Sequence, residues 1–246
     1  MSVLLGKCAF ISGASRGIGN AVARRLAQDG AAVAIGYERS ADAAAALARE
    51  IEGNGGRAVT VQMDAADPAS ISHAIGSAAD QLGGLDILVN NAGIWRAAPV
   101  AELTLDDVDA TLAVNVRGVI LATQAALPHI PEGGRIISIG SNLASRVPDA
   151  GLSLYAASKA ALVGWTKGLA RDLGARGITA NLVHPGSTDT DMNPADGPQA
   201  EAQRRRMAIK QYGRAEDVAA LVAFVASPAA HFINGAELTI DGGANA

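Results

Sequence analysis

The chain is almost without cysteine. Cys8 is the only one in 246 residues, so no disulfide can form within the chain, and a reducing, cytoplasmic setting is the expectation. Cys8 lies in the apolar run Lys7–Ser12 and reads as a buried strand residue rather than a reactive thiol. Charged residues are also scarce, at 18% against 49% hydrophobic, which excludes a solvated disordered chain and fits a sheet buried on both faces. The net charge of −4 has no long block of one sign, so neither nucleic acid nor an anionic membrane is expected as partner. The one basic run, Arg204–Arg206, reads as a solvated helix face. No apolar stretch reaches the roughly 18 residues that a membrane span needs. Met1–Gly6 lacks the charged start, apolar centre and cleavage site of a secretion signal. A chain of this length fits one large α/β domain.

What is present is an alternation. Short β-branched or apolar runs at Lys7–Ser12, Ala32–Gly36, Ala58–Gln62, Leu85–Asn90, Gly134–Gly140, Thr179–His184 and Glu237–Ile240 read as strands. Between them, Ala/Arg/Leu stretches with helical period run over Ile18–Asp29, Ala41–Glu52, Pro68–Leu82, Leu105–Leu127, Tyr155–Leu173 and Ala215–Ala226. This pattern predicts a single Rossmann-type, doubly wound, seven-stranded parallel sheet with helices on both faces. Ser187–Gln211, rich in Pro, Asp, Gly and Arg, reads as a flexible flap over the site. Ligands of such sheets bind at the carboxyl ends of the strands, so functional motifs should follow strands.

They do. Ser12-Gly13-Ala14-Ser15-Arg16-Gly17-Ile18-Gly19 comes directly after the first strand, where glycines allow a tight turn and let the backbone approach a pyrophosphate at a helix start. Tyr155 and Lys159 stand at i, i+4 on one helix face. A tyrosine is a poor proton carrier at neutral pH, and a nearby ammonium favours its phenolate, which is a chemical reason for that spacing. Ser141 follows the fifth strand, where a hydroxyl can hydrogen-bond a substrate oxygen. Ser138 competes but lies within the strand, so Ser141 is preferred. Trp95, Asn142, Leu143, Val147, Pro148, Leu152, Met192 and Met207 flank these motifs and would line a mainly apolar pocket. No metal site is expected.

The glycine spacing, Asn90-Asn91-Ala92-Gly93, Ser141, Tyr155-x-x-x-Lys159 and Pro185-Gly186, in that order from Lys7 to Gly243, resemble the short-chain dehydrogenase/reductase family. Ser12 stands where the usual residue is Thr, and the Ser141–Tyr155 interval is one residue longer than is common, leaving Asn142 at the strict spacing. The resemblance implies a catalytic set of Asn115, Ser141, Tyr155 and Lys159, with Lys159 also gripping the nicotinamide ribose. It implies cofactor contacts from Gly13, Ser15, Arg16, Gly17, Ile18 and Gly19. Asp64 and Ala65 would meet the adenine, Asn91, Ala92 and Gly93 would pack beside the cofactor, and Pro185, Gly186, Thr188 and Thr190 would reach its nicotinamide end and pyrophosphate. His184 reads as a packing residue.

The family's acidic NAD-selecting position falls on Tyr37, while Arg16, Arg39 and Ser40 could hold a 2′-phosphate, so NADP(H) is favoured over NAD(H). Glu38 is discordant: it could repel a phosphate, bind a ribose or pair with Arg39. The implied activity is reversible hydride transfer between nicotinamide and a small-molecule ketone or alcohol, as a carbonyl reductase or secondary alcohol dehydrogenase. A 3-oxoacyl-thioester reductase is an alternative. The run Asp189–Gly197 resembles a subgroup linked to cyclic-dinucleotide binding, which leaves a non-enzymatic regulator as another. The last strand and tail resemble those that pack in the family's homotetramers.

Overall fold

The structure, a computed structural model, describes residues 2–246. In chain order the elements are β1 (Cys8–Ile11), α1 (Gly17–Gln28), β2 (Ala32–Tyr37), α2 (Ala41–Gly53), β3 (Arg57–Gln62), α3 (Pro68–Leu82) and β4 (Ile87–Asn90). The second half has α4 (Leu105–Leu112), α5 (Val119–Ala126), β5 (Arg135–Ile139), α6 (Ser153–Leu173), β6 (Thr179–Pro185), α7 (Ala200–Arg206), α8 (Ala215–Ala226) and β7 (Glu237–Ile240). The seven strands form one sheet in the order β3-β2-β1-β4-β5-β6-β7, parallel throughout.

Each central strand is apolar on both faces because both are covered. Along β1 the side chains alternate. Ile11 joins Val22, Leu26, Leu47, Val218 and Val222 in one core, and Phe10 joins Ile71, Ile75, Leu82, Leu88 and Ile136 in the other. Local signals set the helix ends. Asp67 caps α3 by accepting from the Ala69 and Ser70 N–H groups, Pro68 opens it, and Gly83 closes it in the left-handed region at φ +84°.

The expected fold is the observed one, with two local corrections, to a helix and to strand limits. Leu105–Leu127 is not one α-helix: residues Ala113–Gly118 form a π-helical turn between α4 and α5. The Ser187–Gln211 segment contains α7 and is tied internally by Gln203 and Asn193, whose side-chain amides bond reciprocally at 2.9 and 3.0 Å. Several strands start or stop a residue or two from the expected limits; β4, for instance, begins at Ile87 rather than Leu85.

Strand order reverses between β1 and β4, so the loops leaving these neighbours diverge and open a crevice at their carboxyl ends.

Candidate active site

The crevice is built by two turns stapled together. Ser12, just past β1, accepts at Oγ from the Asn91 and Ala92 N–H groups, both at 2.9 Å. Asn91 Nδ2 answers by donating to the Ser12 and Gly13 carbonyls at 2.9 and 3.0 Å. The glycine turn and the Asn-Asn-Ala-Gly turn therefore form one rigid unit across the switch point. Gly19 is required within it, because a Cβ there would stand 2.5 Å from Asn91 Nδ2. No side chain caps the start of α1, which leaves its first N–H groups to an outside acceptor. The residues thus fit the pyrophosphate of a dinucleotide.

The adenosine end would fall at the tips of β2 and β3, where Glu38, Arg39, Thr60, Gln62 and Asp64 line a groove of about 510 Å³. Arg39 pairs with Glu38 at 3.1 Å, which settles the contact Glu38 makes in the protein alone, and Arg16 lies 3.5 Å from Asp191 of the Ser187–Gln211 segment. Asp64 Oδ1 closes a turn onto the Ala66 N–H at 2.8 Å. Tyr37 ends β2 half-buried, and Ser40 precedes α2.

On the other side of the crevice, Ser141 extends β5 and α6 carries Tyr155 and Lys159. Lys159 is 5% exposed, and its Nζ donates to the Ile139 carbonyl at 2.9 Å and lies 5.8 Å from the Tyr155 ring centroid. Burial drives its pKa down to about 8. Burial likewise pushes the Tyr155 phenol up to about 12, and a hydrogen bond with Ser141 pulls it partly back. Desolvation, rather than the lysine charge, is the dominant influence on the phenol in the protein alone. Ser141 Oγ also accepts from the Leu143 N–H at 3.2 Å.

Asn115 sits in the π-helical turn and is fully buried. Its Oδ1 accepts from Ile94 N–H at 2.9 Å, while Nδ2 donates to the Ile94 carbonyl at 3.0 Å and to Ser158 Oγ at 3.1 Å. Asn115 thus anchors the strand exit after Gly93 to the helix bearing Tyr155. Trp95, two residues beyond Gly93, packs its ring on Tyr155 with centroids 4.5 Å apart.

Pro185 closes β6, and Thr188 Oγ1 donates to the Gly186 carbonyl at 3.1 Å. The methyl of Thr190 lies over Gly17, 3.4 Å from where a Cβ would stand. Of the expected pocket residues, Val147 and Met192 are about half exposed, whereas Met207 is buried, with its Cε against Gly242. Leu152 directly precedes α6. Asn142 is tied to a residue that motif reasoning passed over: Asn245, whose Nδ2 donates to the Asn142 carbonyl at 2.7 Å. His184, expected as packing, also touches the Ser141 backbone.

Comparison with known proteins agrees with this geometry. The family model described as Enoyl-(Acyl carrier protein) reductase matches residues 13–245. The chain is 46% identical over 242 residues to the cyclic-di-GMP-binding biofilm dispersal mediator protein of Escherichia coli strain K12, covering 98% of each. It is 39% identical over 246 residues to a 3-oxoacyl-(acyl-carrier-protein) reductase of a Synechocystis species, covering 99% of this chain and 98% of that one. A crystal structure of a short chain dehydrogenase from Burkholderia cenocepacia J2315 in complex with NADP matches with a TM-score of 0.98 at 67% identity, covering 99% of this chain and 100% of that one. The chain belongs to the short-chain dehydrogenase/reductase family. It is an NAD(P)-dependent oxidoreductase.

Proposed function

We propose that the protein is an NADP(H)-dependent carbonyl reductase, working in reverse as a secondary alcohol dehydrogenase, on a hydrophobic ketone. The observation that carries this reading is the convergence of Ser141, Tyr155 and Lys159: Ser141 hydrogen-bonds Tyr155, and the buried Lys159 Nζ lies 5.8 Å from the Tyr155 ring centroid. The nicotinamide, when bound, supplies the hydride. This chain's residues do the rest. Ser141 Oγ–H donates to the substrate oxygen and holds it beside the phenol. Tyr155 then passes its proton to that oxygen as negative charge develops there, and the Lys159 ammonium stabilises the phenolate left behind. A phenol held at about 12 keeps its proton at neutral pH, which suits reduction. Asn115 fixes the geometry through Ile94 and Ser158. Trp95, Leu143, Leu152 and the exposed Val147 and Met192 supply apolar walls.

NADP(H) is the cofactor we assign, through Arg16, Arg39 and Ser40 for the 2′-phosphate; the Burkholderia relative is in complex with NADP. Both arginines already face carboxylates, so the phosphate would exchange one anionic partner for another. Exposed Leu105 and Leu112 on α4 and Phe224 on α8 support a homo-oligomer, a tetramer by resemblance. Among the described residues, no helix is long and apolar enough to cross a membrane.

The test is NADPH consumption, followed by absorbance, with a panel of ketones that includes 3-oxoacyl thioesters. Wild type should turn over at least one hydrophobic ketone, and Tyr155→Phe should lower kcat by roughly a hundredfold or more. Faster turnover with NADH than with NADPH would overturn the cofactor assignment. A second reading, a cyclic-dinucleotide-binding regulator, is favoured by the 46% identity to the biofilm dispersal protein. It would prevail if wild type and Tyr155→Phe were equally inert while cyclic-di-GMP bound tightly.

A further inference from the structure

His184, on β6, is 1% exposed and lies against the end of the neighbouring strand β5. Gly140 makes room for the ring: a Cβ there would come within 2.6 Å of Nδ1. Nδ1 sits 2.7 Å from the Ser141 carbonyl oxygen and 3.1 Å from the Ser141 nitrogen. Nδ1 can either accept from the Ser141 N–H or donate to the Ser141 carbonyl, and the shorter of the two contacts, 2.7 Å, favours Nδ1–H as the donor. Nε2 has no hydrogen-bond partner; Glu237 Oε2 on β7 stands 3.5 Å from it, and the Lys159 charge also acts on the ring. Glu237 is itself held by Lys167 of α6 at 2.7 Å. Burial, helped by the Lys159 charge, outweighs the Ser141 backbone contact and the Glu237 carboxylate and holds the ring's pKa below its ordinary value, leaving a neutral ring with one proton to place.

We propose that His184 is a positioning residue for Ser141: its Nδ1–H holds the Ser141 carbonyl and fixes the strand end from which the Ser141 hydroxyl reaches the reacting oxygen. Ser141 is extended at φ −164°; its Oγ accepts from Leu143 N–H and is hydrogen-bonded to Tyr155, and its carbonyl also accepts from Ala144 N–H at 3.0 Å, so the ring is the contact that ties this strand end to β6. Without the ring, the Ser141 carbonyl keeps only the bond from Ala144 N–H within its own turn, and the turn as a whole, hydroxyl included, can shift against β6. The inference rests on the reading of Ser141 given under Proposed function.

Two measurements on the full chain test it. In the cofactor-free protein, ¹⁵N spectra of the histidine rings should show His184 protonated at Nδ1 and bare at Nε2; a ring protonated at Nε2 would overturn the proposal. With NADPH and a ketone turned over in the panel, His184→Ala should lower kcat by about 10- to 100-fold while KM moves less than about threefold. His184→Asn, whose amide can donate to the same carbonyl, should recover most of that loss, and it keeps the test open if the alanine variant fails to fold. Because His184 acts through Ser141, His184→Ala combined with Ser141→Ala should be no slower than Ser141→Ala alone. Losses that add independently would show that the ring acts elsewhere. If Ser141→Ala alone kept wild-type kcat, the reading of Ser141 would fall, and the ring spectrum would be unaffected by that result.

Discussion

Lys159 holds an ammonium where the fold would be more stable without one. Its pKa stands at about 8 in the folded chain against an ordinary value of 10.5. Below pH 8 both the folded and the unfolded chain carry the proton, and the folded state bears the whole desolvation cost. Between 8 and 10.5 the folded chain sheds the proton while the unfolded chain keeps it, so the cost is relieved as pH rises. A shift of this size corresponds to roughly 3 kcal/mol. Lys159→Met should therefore stabilise the cofactor-free protein at pH 7 by about 1–2 kcal/mol, since loss of the bond to the Ile139 carbonyl offsets part of the gain, and should abolish turnover. Urea unfolding at pH 7 and pH 9.5 checks it, with the advantage smaller at the higher pH. Tyr155 acts in the opposite sense above pH 10: the fold favours the neutral phenol, and stability falls as pH climbs from 10 towards 12. The Tyr155–Lys159 spacing was legible because chemistry demands it. The balance between desolvation and charge was not, because it depends on what surrounds the helix.

Among the elements, the π-helical turn at Ala113–Gly118 does what a regular helix would not. It sets the Asn115 side chain against both polar groups of Ile94. Asn115→Leu leaves that N–H and C=O without partners in a partly buried setting. The expected cost is about 2–4 kcal/mol in urea unfolding, together with a sharp loss of activity. The turn was hidden in the sequence because the apolar periodicity of Leu105–Leu127 runs straight through it; a mid-helix Asn was the sole hint. The strands were easier. Runs such as Ile136-Ile137 must bury both faces, and no other element does so over so few residues. Helix α7 was missed because seven residues are too few for a period to show. The His184 contact was missed because it joins strands 43 residues apart.

Across the whole molecule, the tail gathers segments that lie far apart in sequence. Asn245 donates to Asn142, Arg146 donates to the Ala244 carbonyl at 2.6 Å, and the Gly242 carbonyl accepts from Ile209 N–H at 2.9 Å. The tail thus bridges the loop after Ser141 and the end of the Ser187–Gln211 segment. Asn245→Ala should raise KM for the ketone by about fivefold, the equivalent of one lost hydrogen bond, with NADPH affinity and melting temperature little changed. Steady-state kinetics beside cofactor titration would show it. Motif reasoning had no access to this clasp, which rests on two asparagines 103 residues apart. The same separation has a meaning during synthesis. At about 5–20 residues per second, the loop after β5 leaves the ribosome roughly 5–20 seconds before the tail residues that bond to it. In the later part of that interval, once β6 has emerged, β6 is an open sheet edge, since its partner β7 comes last. A nascent chain stalled short of Glu237 would carry Ser141, Tyr155 and Lys159 in full, yet lack the clasp that ties the loop after Ser141 to the Ser187–Gln211 segment.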